Sequence, residues 1–353
     1  MDLMNIQINK VAQSRVSQVD FDKLVFGKYF SDHMYIVDFV DGVWQQPQIL
    51  PYGDMLIKPS LSAFHHAQSI FEGMKVFKNK EGDIMFFRLY DNFNRMNRSA
   101  ERMCMPPIPE NIFIEGLKKL IEIDKDWIPT QEGKALYVRP VYFSIDEVIG
   151  VKPAENYRLV IITTPTGAYY SEPLKVLVEK TYSRSSEGGT GYAKAAGNYG
   201  GAMYPTKLAM EKGYHQLIWT DAIENKYIEE SGSMNVMFVI NDVLVTPSLS
   251  NSKLAGITRD SILKLAIDMG IKVEERNITV DEVIEAHEKG QLQEAFGVGT
   301  AANVAPIALI GANGKDYVLP NPANFVVANK IGKALTEIKM GKAEDKFGWV
   351  IKL

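Results

Sequence analysis

Lys194 lies in SRSSEGGTGYAKAAGNYGGAM, where six glycines fall within fourteen residues and Ala193, Ala195 and Ala196 flank the amine. A lysine that backbone can approach closely suits imine formation with a carbonyl compound. The amine must shed its proton to attack, and a crowded, desolvated site favours that loss. The ordinary alternative is a solvated lysine in a flexible loop. Two segments could bind an anion. Gly256-Ile257-Thr258 stands where a loop becomes a helix, with Thr258 as a candidate N-cap, and free N–H groups at a helix start hold phosphate. Gly297-Val298-Gly299-Thr300-Ala301-Ala302 follows a strand and could offer N–H groups and a hydroxyl. Arg95 could add a bidentate phosphate contact, or be one of three exposed helix arginines with Arg98 and Arg102. In Glu229-Glu230-Ser231-Gly232-Ser233, a carboxylate at a strand start could pair with a cationic ring nitrogen. For either glutamate alone, a solvated charge is the simpler reading.

The elements that must position these groups are legible in part. MYIVDFV (34–40), IMFFR (84–88), ALYVRPVYFS (135–144), YRLVIITTP (157–165) and LKVLVEK (174–180) are rich in β-formers and read as strands. Leu89, Phe93, Met96, Ala100 and Met103 recur at steps of four and three, one apolar helix face that Pro106-Pro107 ends. Residues 112–124, 204–213 and 257–270 read as further helices, the last two closed by Gly213 and Gly270. Asn241-Asp242 between apolar runs predicts a hairpin, and residues 292–307 a strand entering a Gly-rich turn. The polar first 20 residues predict a surface arm. Strand character stops at 166–173, which sets the expected boundary between a small N-terminal domain (1–165) and a large C-terminal domain (174–353) carrying Lys194. Strands and helices mix without repeating, so two α/β or α+β domains fit better than a barrel.

Composition narrows the function classes. The 353 residues suffice for about two domains, and 46% hydrophobic with 23% charged residues is ordinary for a globular chain. Lysine plus arginine number 39 against 43 acids, a net charge of −4, which lacks the footprint of a nucleic-acid binder. One cysteine, Cys104, forbids an intramolecular disulfide and a Cys-rich zinc site, no H-x-x-x-H spacing occurs, and no metal is expected. A buried thiol, no secretory signal and no apolar run near ~20 residues predict a cytoplasmic protein with no membrane partner. GVGTAA also matches a weak dinucleotide fingerprint, G-x-G-x-x-A. Only about fifty residues follow it, too few to complete that domain, so the fingerprint is rejected; a non-enzymatic dinucleotide- or phosphate-binding protein built on this segment is the rival from a different class.

Eight motifs in order resemble the class IV aminotransferases, specifically the branched-chain amino-acid aminotransferases: SIFEGMKVF (69–77), DNFNRMNRSAERMCMP (91–106), LYVRP (136–140), GAYY (167–170), KAAGNYG (194–200), EESGSMN (229–235), LAGITRD (254–260) and FGVGTAA (296–302). The match runs from FGKYFSDHM (26–34) almost to the C-terminus. The resemblance implies a two-domain, D-amino-acid aminotransferase-like fold type IV of mixed α/β and α+β character. It implies pyridoxal 5′-phosphate as cofactor, and transfer of the amino group between leucine, isoleucine or valine and 2-oxoglutarate. It makes Lys194 the Schiff-base lysine and proton shuttle. Tyr199 bonds the cofactor's phenolic oxygen, Glu230 faces the pyridine nitrogen, and Arg95, Ile257, Thr258 and Thr300 hold the phosphate. His66, Phe71, Tyr137, Arg139, Tyr169, Ser233 and Ala301 line the substrate pocket. In LYVRP, alternation puts Tyr137 and Arg139 on one strand face, where Arg139 could meet the distal carboxylate of glutamate. A homodimer or larger homo-oligomer is implied as well. Other class IV enzymes, a D-amino-acid aminotransferase or aminodeoxychorismate lyase, are the alternatives within the fold.

The chain departs from the family pattern in places. Ala302 and Ala305 stand where eukaryotic members often carry a Cys-x-x-Cys pair. Leu254-Ala255-Gly256 replaces Leu-Pro-Gly, and Glu230-Ser231-Gly232-Ser233 replaces the usual Glu-Val-Gly-Thr or Glu-Ile-Gly-Thr. His66 follows His65 where the family usually has tyrosine, and its ring either borders the pocket or packs beside His65.

Overall fold

The computed structural model describes residues 5–353. The first four residues of the expected arm lie outside the described residues. The chain divides into two compact units: residues 1–169 with 193–197 and 338–353, and residues 170–192 with 198–337. The division falls within the loop expected at 166–173. The short segment bearing Lys194 and the last sixteen residues cluster with the first unit.

The first unit is built on a ten-stranded sheet in the order Gln7–Ile8, Gln48–Pro51, His33–Val40, Tyr157–Thr166, Ala135–Ser144, Met74–Lys78, Ile84–Phe87, Val350–Lys352. Val43–Trp44 pairs off this path with His33–Val40, and Ser69–Phe71 with Ala135–Ser144. All pairings are antiparallel except that of Gln7–Ile8 with Gln48–Pro51. One face packs against the helices Leu89–Arg102 and Glu110–Ile123. Leu136, Val138 and Tyr142 of the long central strand meet Phe93, Met96, Phe113 and Leu117 there. By alternation, Tyr137 and Arg139 face the other way. Pro109 starts the second helix before Glu110, slightly earlier than its apolar run suggests. The first helix ends at Arg102, before the diproline, and Cys104 adopts φ 55°. That left-handed residue turns the chain outward, so the thiol is exposed, correcting the expected buried cysteine.

The second unit carries a nine-stranded mixed sheet in the order Ile228–Ser231, Gln216–Thr220, Leu174–Glu179, Asn303–Ala312, Leu292–Gly299, Asn235–Ile240, Val243–Thr246, Val273–Glu275, with Lys315–Val318 beside Asn303–Ala312. Asn241 and Asp242 take φ 49° and 62°, the two positive values that a tight hairpin of this hand requires. The helix Ile257–Asp268 begins with Gly256 at its N-cap and closes near Gly270 at φ 73°. Thr258 is therefore inside the first turn and does not cap it. Among the described residues no helix is long and apolar enough to cross a membrane.

Candidate active site

In the first unit, Lys194 is not on a free loop. Its backbone N–H donates to Ser99 Oγ (2.9 Å), and its carbonyl accepts from Phe71 N–H (3.1 Å). Ala195 bridges Ile70, and Ala193 and Ala195 are buried in the sheet's core. The two alanines anchor inward and leave the lysine half-buried between them. Its Nζ lies 5.0 Å from the Phe71 ring centroid, and the Arg139 guanidinium carbon lies 4.6 Å from the same ring. Arg139 Nη2 donates to the Tyr137 hydroxyl (3.0 Å), so the shared strand face predicted for LYVRP is realised. A Cβ on Gly73 would collide with that hydroxyl, which is the physical reason glycine follows Phe71-Glu72.

Arg95 is buried, not an exposed helix arginine. It grips Glu72 with Nε and Nη2 at 2.6 and 2.9 Å, and Gly73 N–H also donates to Glu72 (3.0 Å). This fork ties the helix of Arg95 to the turn beside Phe71. Glu72 escaped the sequence reading because its partner lies 23 residues away in sequence.

Phe26 was missed as well. Its ring packs edge-on against Tyr137 and Tyr169, both with centroids at 5.0 Å. Burial pushes the Tyr169 phenol up, Tyr137 adds to this and Arg139 opposes it, so the hydroxyl keeps its proton at neutral pH. Lys75 pairs with Tyr137 across the sheet, and burial lowers its pKa to about 8. His66 closes the short helix Ser62–His66, half-buried, its ring 6.3 Å from that of His65. Among the described residues its side chain makes no hydrogen bond.

The second unit gathers acids and backbone donors. Glu229 and Glu230 are both buried, at 7% and 3% exposure, so neither is a solvated charge. Adjacent strand residues face opposite ways, and their partners differ accordingly. Glu230 pairs with Arg184 (2.6 Å) and accepts from Asn235 Nδ2 (3.0 Å), whereas Glu229 accepts from Ser252 Oγ and pairs with Lys253 (3.4 Å). Asn235 Nδ2 also donates to Leu254 O (3.0 Å), and a Cβ on Gly256 would collide with Asn235 Oδ1. One amide thereby fixes Glu230 against the loop that opens the helix of Ile257 and Thr258. That helix start has no side-chain cap, so its first N–H groups remain for an anion. Thr300 and Ala301 occupy the half-exposed turn between Leu292–Gly299 and Asn303–Ala312. Tyr199 is half-buried on the helix Ala196–Gly201, and Ser233 is exposed on the turn after Gly232. Arg184 and Asn235, like Glu72, carry no local sequence signal for their roles.

The class IV amino-transferase family model matches residues 69–310. The chain belongs to the class IV aminotransferases. It is 41% identical over 95% of its length to the branched-chain-amino-acid transaminase 1 of Bacillus subtilis, covering 95% of that protein. It is also 41% identical to the branched-chain-amino-acid aminotransferase of Mycobacterium tuberculosis, covering 93% of this chain and 92% of that one. Among solved structures, the branched-chain aminotransferase of Thermoproteus uzoniensis with norvaline superposes with a TM-score of 0.76 at 25% identity, covering 91% of this chain and 99% of that one. The Escherichia coli branched-chain amino acid aminotransferase gives 0.72 at 26%, covering 90% and 98%. The expected fold type IV is thereby borne out, and the non-enzymatic dinucleotide reading of GVGTAA falls.

Proposed function

We propose that this aminotransferase moves the amino group reversibly between leucine, isoleucine or valine and 2-oxoglutarate, with pyridoxal 5′-phosphate as cofactor. One observation carries the reading at the site. Lys194 Nζ and the Arg139 guanidinium both lie against the Phe71 ring, 5.0 and 4.6 Å from its centroid. A reactive amine and a carboxylate-binding cation thus border one apolar surface. An aliphatic side chain can lie on Phe71 and Tyr137, and a distal carboxylate can reach Arg139.

The donor set fits the cofactor: a pinned lysine, a buried carboxylate for a ring nitrogen, and an uncapped helix start for a phosphate. Once bound, pyridoxal 5′-phosphate supplies a carbonyl carbon that takes up the amino group and a ring that accepts electron density from the substrate Cα. In our reading Lys194 Nζ would hold the cofactor and would carry the proton to and from the substrate Cα. Glu230 holds a proton at the ring nitrogen, and Tyr199 donates to the phenolic oxygen. Ile257, Thr258 and Thr300 bind the phosphate. Arg95 would add a further phosphate contact. Ala301 and Ser233 supply polar contacts at the substrate carboxylate, and Tyr169 closes the apolar wall. We also expect a homodimer or higher homo-oligomer in the cytoplasm. Leu56 at 99% exposure, before the short helix Ser62–His66, and Phe64 at 64% on that helix support association with another copy.

The test is a half-reaction screen of single L- and D-amino acids, following loss of the cofactor's visible absorbance. Leucine, isoleucine and valine should discharge it fastest. A preference for D-amino acids would replace this reading with another class IV activity.

A further inference from the structure

Arg184 is buried in the second unit, with 6% of its side chain exposed, and its guanidinium touches three groups at once. Nη1 lies 2.6 Å from Glu230 Oε2 and donates to the Ser252 carbonyl (3.1 Å), while Nη2 donates to the Gly191 carbonyl (3.4 Å). A Cβ on Gly191 would collide with that Ser252 carbonyl, so glycine lets the two segments lie close enough for one guanidinium to reach both. Tyr192 N–H donates to Asn251 O (3.1 Å) and closes the same contact. The backbone thus fixes the guanidinium and delivers its charge to Glu230. The adjacent Glu229 has a cation of its own, Lys253 at 3.4 Å.

Glu230 accepts from Asn235 Nδ2 on Oε1 (3.0 Å) and meets Arg184 on Oε2. An ionised carboxylate has about four acceptor positions, so these two partners do not use it up. Burial disfavours a charge, and a guanidinium in contact favours the ionised form, because it stays protonated under all working conditions. A proton between a carboxylate and a basic ring nitrogen goes to the stronger base. Contact with a cation makes Glu230 the weaker one. Asn235, a neutral amide, orients the carboxylate without that bias.

We propose that Arg184 is a positioning residue that keeps Glu230 ionised, sends the proton to the cofactor's ring nitrogen and so sets how readily the ring accepts electron density. The inference rests on the assignment of Glu230 to the ring nitrogen in the function proposed above. Arg184 acts through Glu230, not on the substrate.

The test uses full-length holoenzyme loaded with pyridoxal 5′-phosphate carrying nitrogen-15 in its ring, whose resonance separates the protonated from the neutral nitrogen. The parent and Arg184→Lys, which keeps the charge without the fork, should show the protonated signal. Arg184→Gln, which keeps a donor without the charge, should move it toward the neutral position, and so should Glu230→Gln. Lys253→Gln, which unpairs only Glu229, should leave it in place. In parallel, kcat for leucine with 2-oxoglutarate should fall at least about tenfold in Arg184→Gln with KM within about threefold, and Arg184→Lys should recover most of the loss. In a Glu230→Gln background Arg184→Gln should cost nothing more. A protonated signal in Arg184→Gln, a shift as large in Arg184→Lys or Lys253→Gln, or losses that multiply in the double variant would overturn the proposal and leave the site assignment standing. A neutral signal in the parent, or one that Glu230→Gln does not move, would overturn both. Should Arg184→Gln not fold, Arg184→Met fills similar space without the charge and carries the same expectations.

Discussion

The two units solve different problems with one device. In the first, Gly73 makes room for the Tyr137 hydroxyl; in the second, Gly256 makes room for the Asn235 carboxamide. Each glycine admits a polar atom that organises its half of the chemistry. Around Gly73 the groups are aromatic and cationic and leave an apolar surface for a variable side chain. Around Gly256 they are buried charges that already hold partners, and no side chain there offers a substrate much choice. In the function proposed above, recognition falls to the first unit, with which Lys194 clusters, and electrostatic control to the second.

Substitutions can break or sharpen that division. The largest effect should come from Lys194→Ala, which removes both the covalent anchor and the proton carrier. Steady-state turnover of leucine with 2-oxoglutarate should fall by at least about 10³-fold, and activity near the parent's would remove Lys194 from the chemistry. Next come the adjacent glutamates. Glu230→Gln should lower kcat about 10²-fold with little change in KM, as expected for a group needed at the transition state. Glu229→Gln should leave kcat near the parent's; each substitution also leaves a buried cation, Lys253 or Arg184, without its anion and should cost about 3 kcal/mol of stability, read as a lowered Tm. Exchanged phenotypes would reverse the facing of that strand.

Arg139→Met tests the recognition side. A charge-assisted contact is worth about 1.5–3 kcal/mol, so KM for 2-oxoglutarate should rise roughly ten- to 150-fold while that for leucine moves far less. Equal losses would make Arg139 a support for Tyr137 only. A smaller effect is expected at acid pH. Burial pushes the Asp32 carboxyl up, but bonds from Ser14, Trp127 and Arg15 outweigh it and hold it below the ordinary 3.8. Its contribution is therefore complete above about pH 4 and lost as pH falls through the lowered value. Proteolysis of the arm should appear in that acid range and not at pH 6. The smallest effect is His66→Tyr, which should change kcat/KM for leucine by no more than about twofold. A larger change would bring His66 to the pocket.

What could be read from the sequence was what is local. The Asn241-Asp242 hairpin, the helix of Phe93 and Met96, and the shared face of Tyr137 and Arg139 all follow from spacing within a few residues. The Lys194 anchor at Ser99, the Glu72 grip on Arg95 and the Arg184 pair with Glu230 join residues far apart in sequence, and no periodicity encodes them. Thr258 was the wrong cap because Gly256 already fills that place, pressed against Asn235. Cys104 escaped burial through a backbone angle that its residue type does not advertise.

The strand Val350–Lys352 pairs with Ile84–Phe87, and Arg88 N–H donates to Trp349 O (2.7 Å). A sheet whose other strands all lie before residue 167 therefore receives an edge strand from residues 350–352. The first unit is completed only after the whole of the second has been synthesised. A nascent chain halted before residue 350 would present Ile84–Phe87 as a bare sheet edge, a ready surface for chaperones or for mispairing with a neighbouring nascent chain.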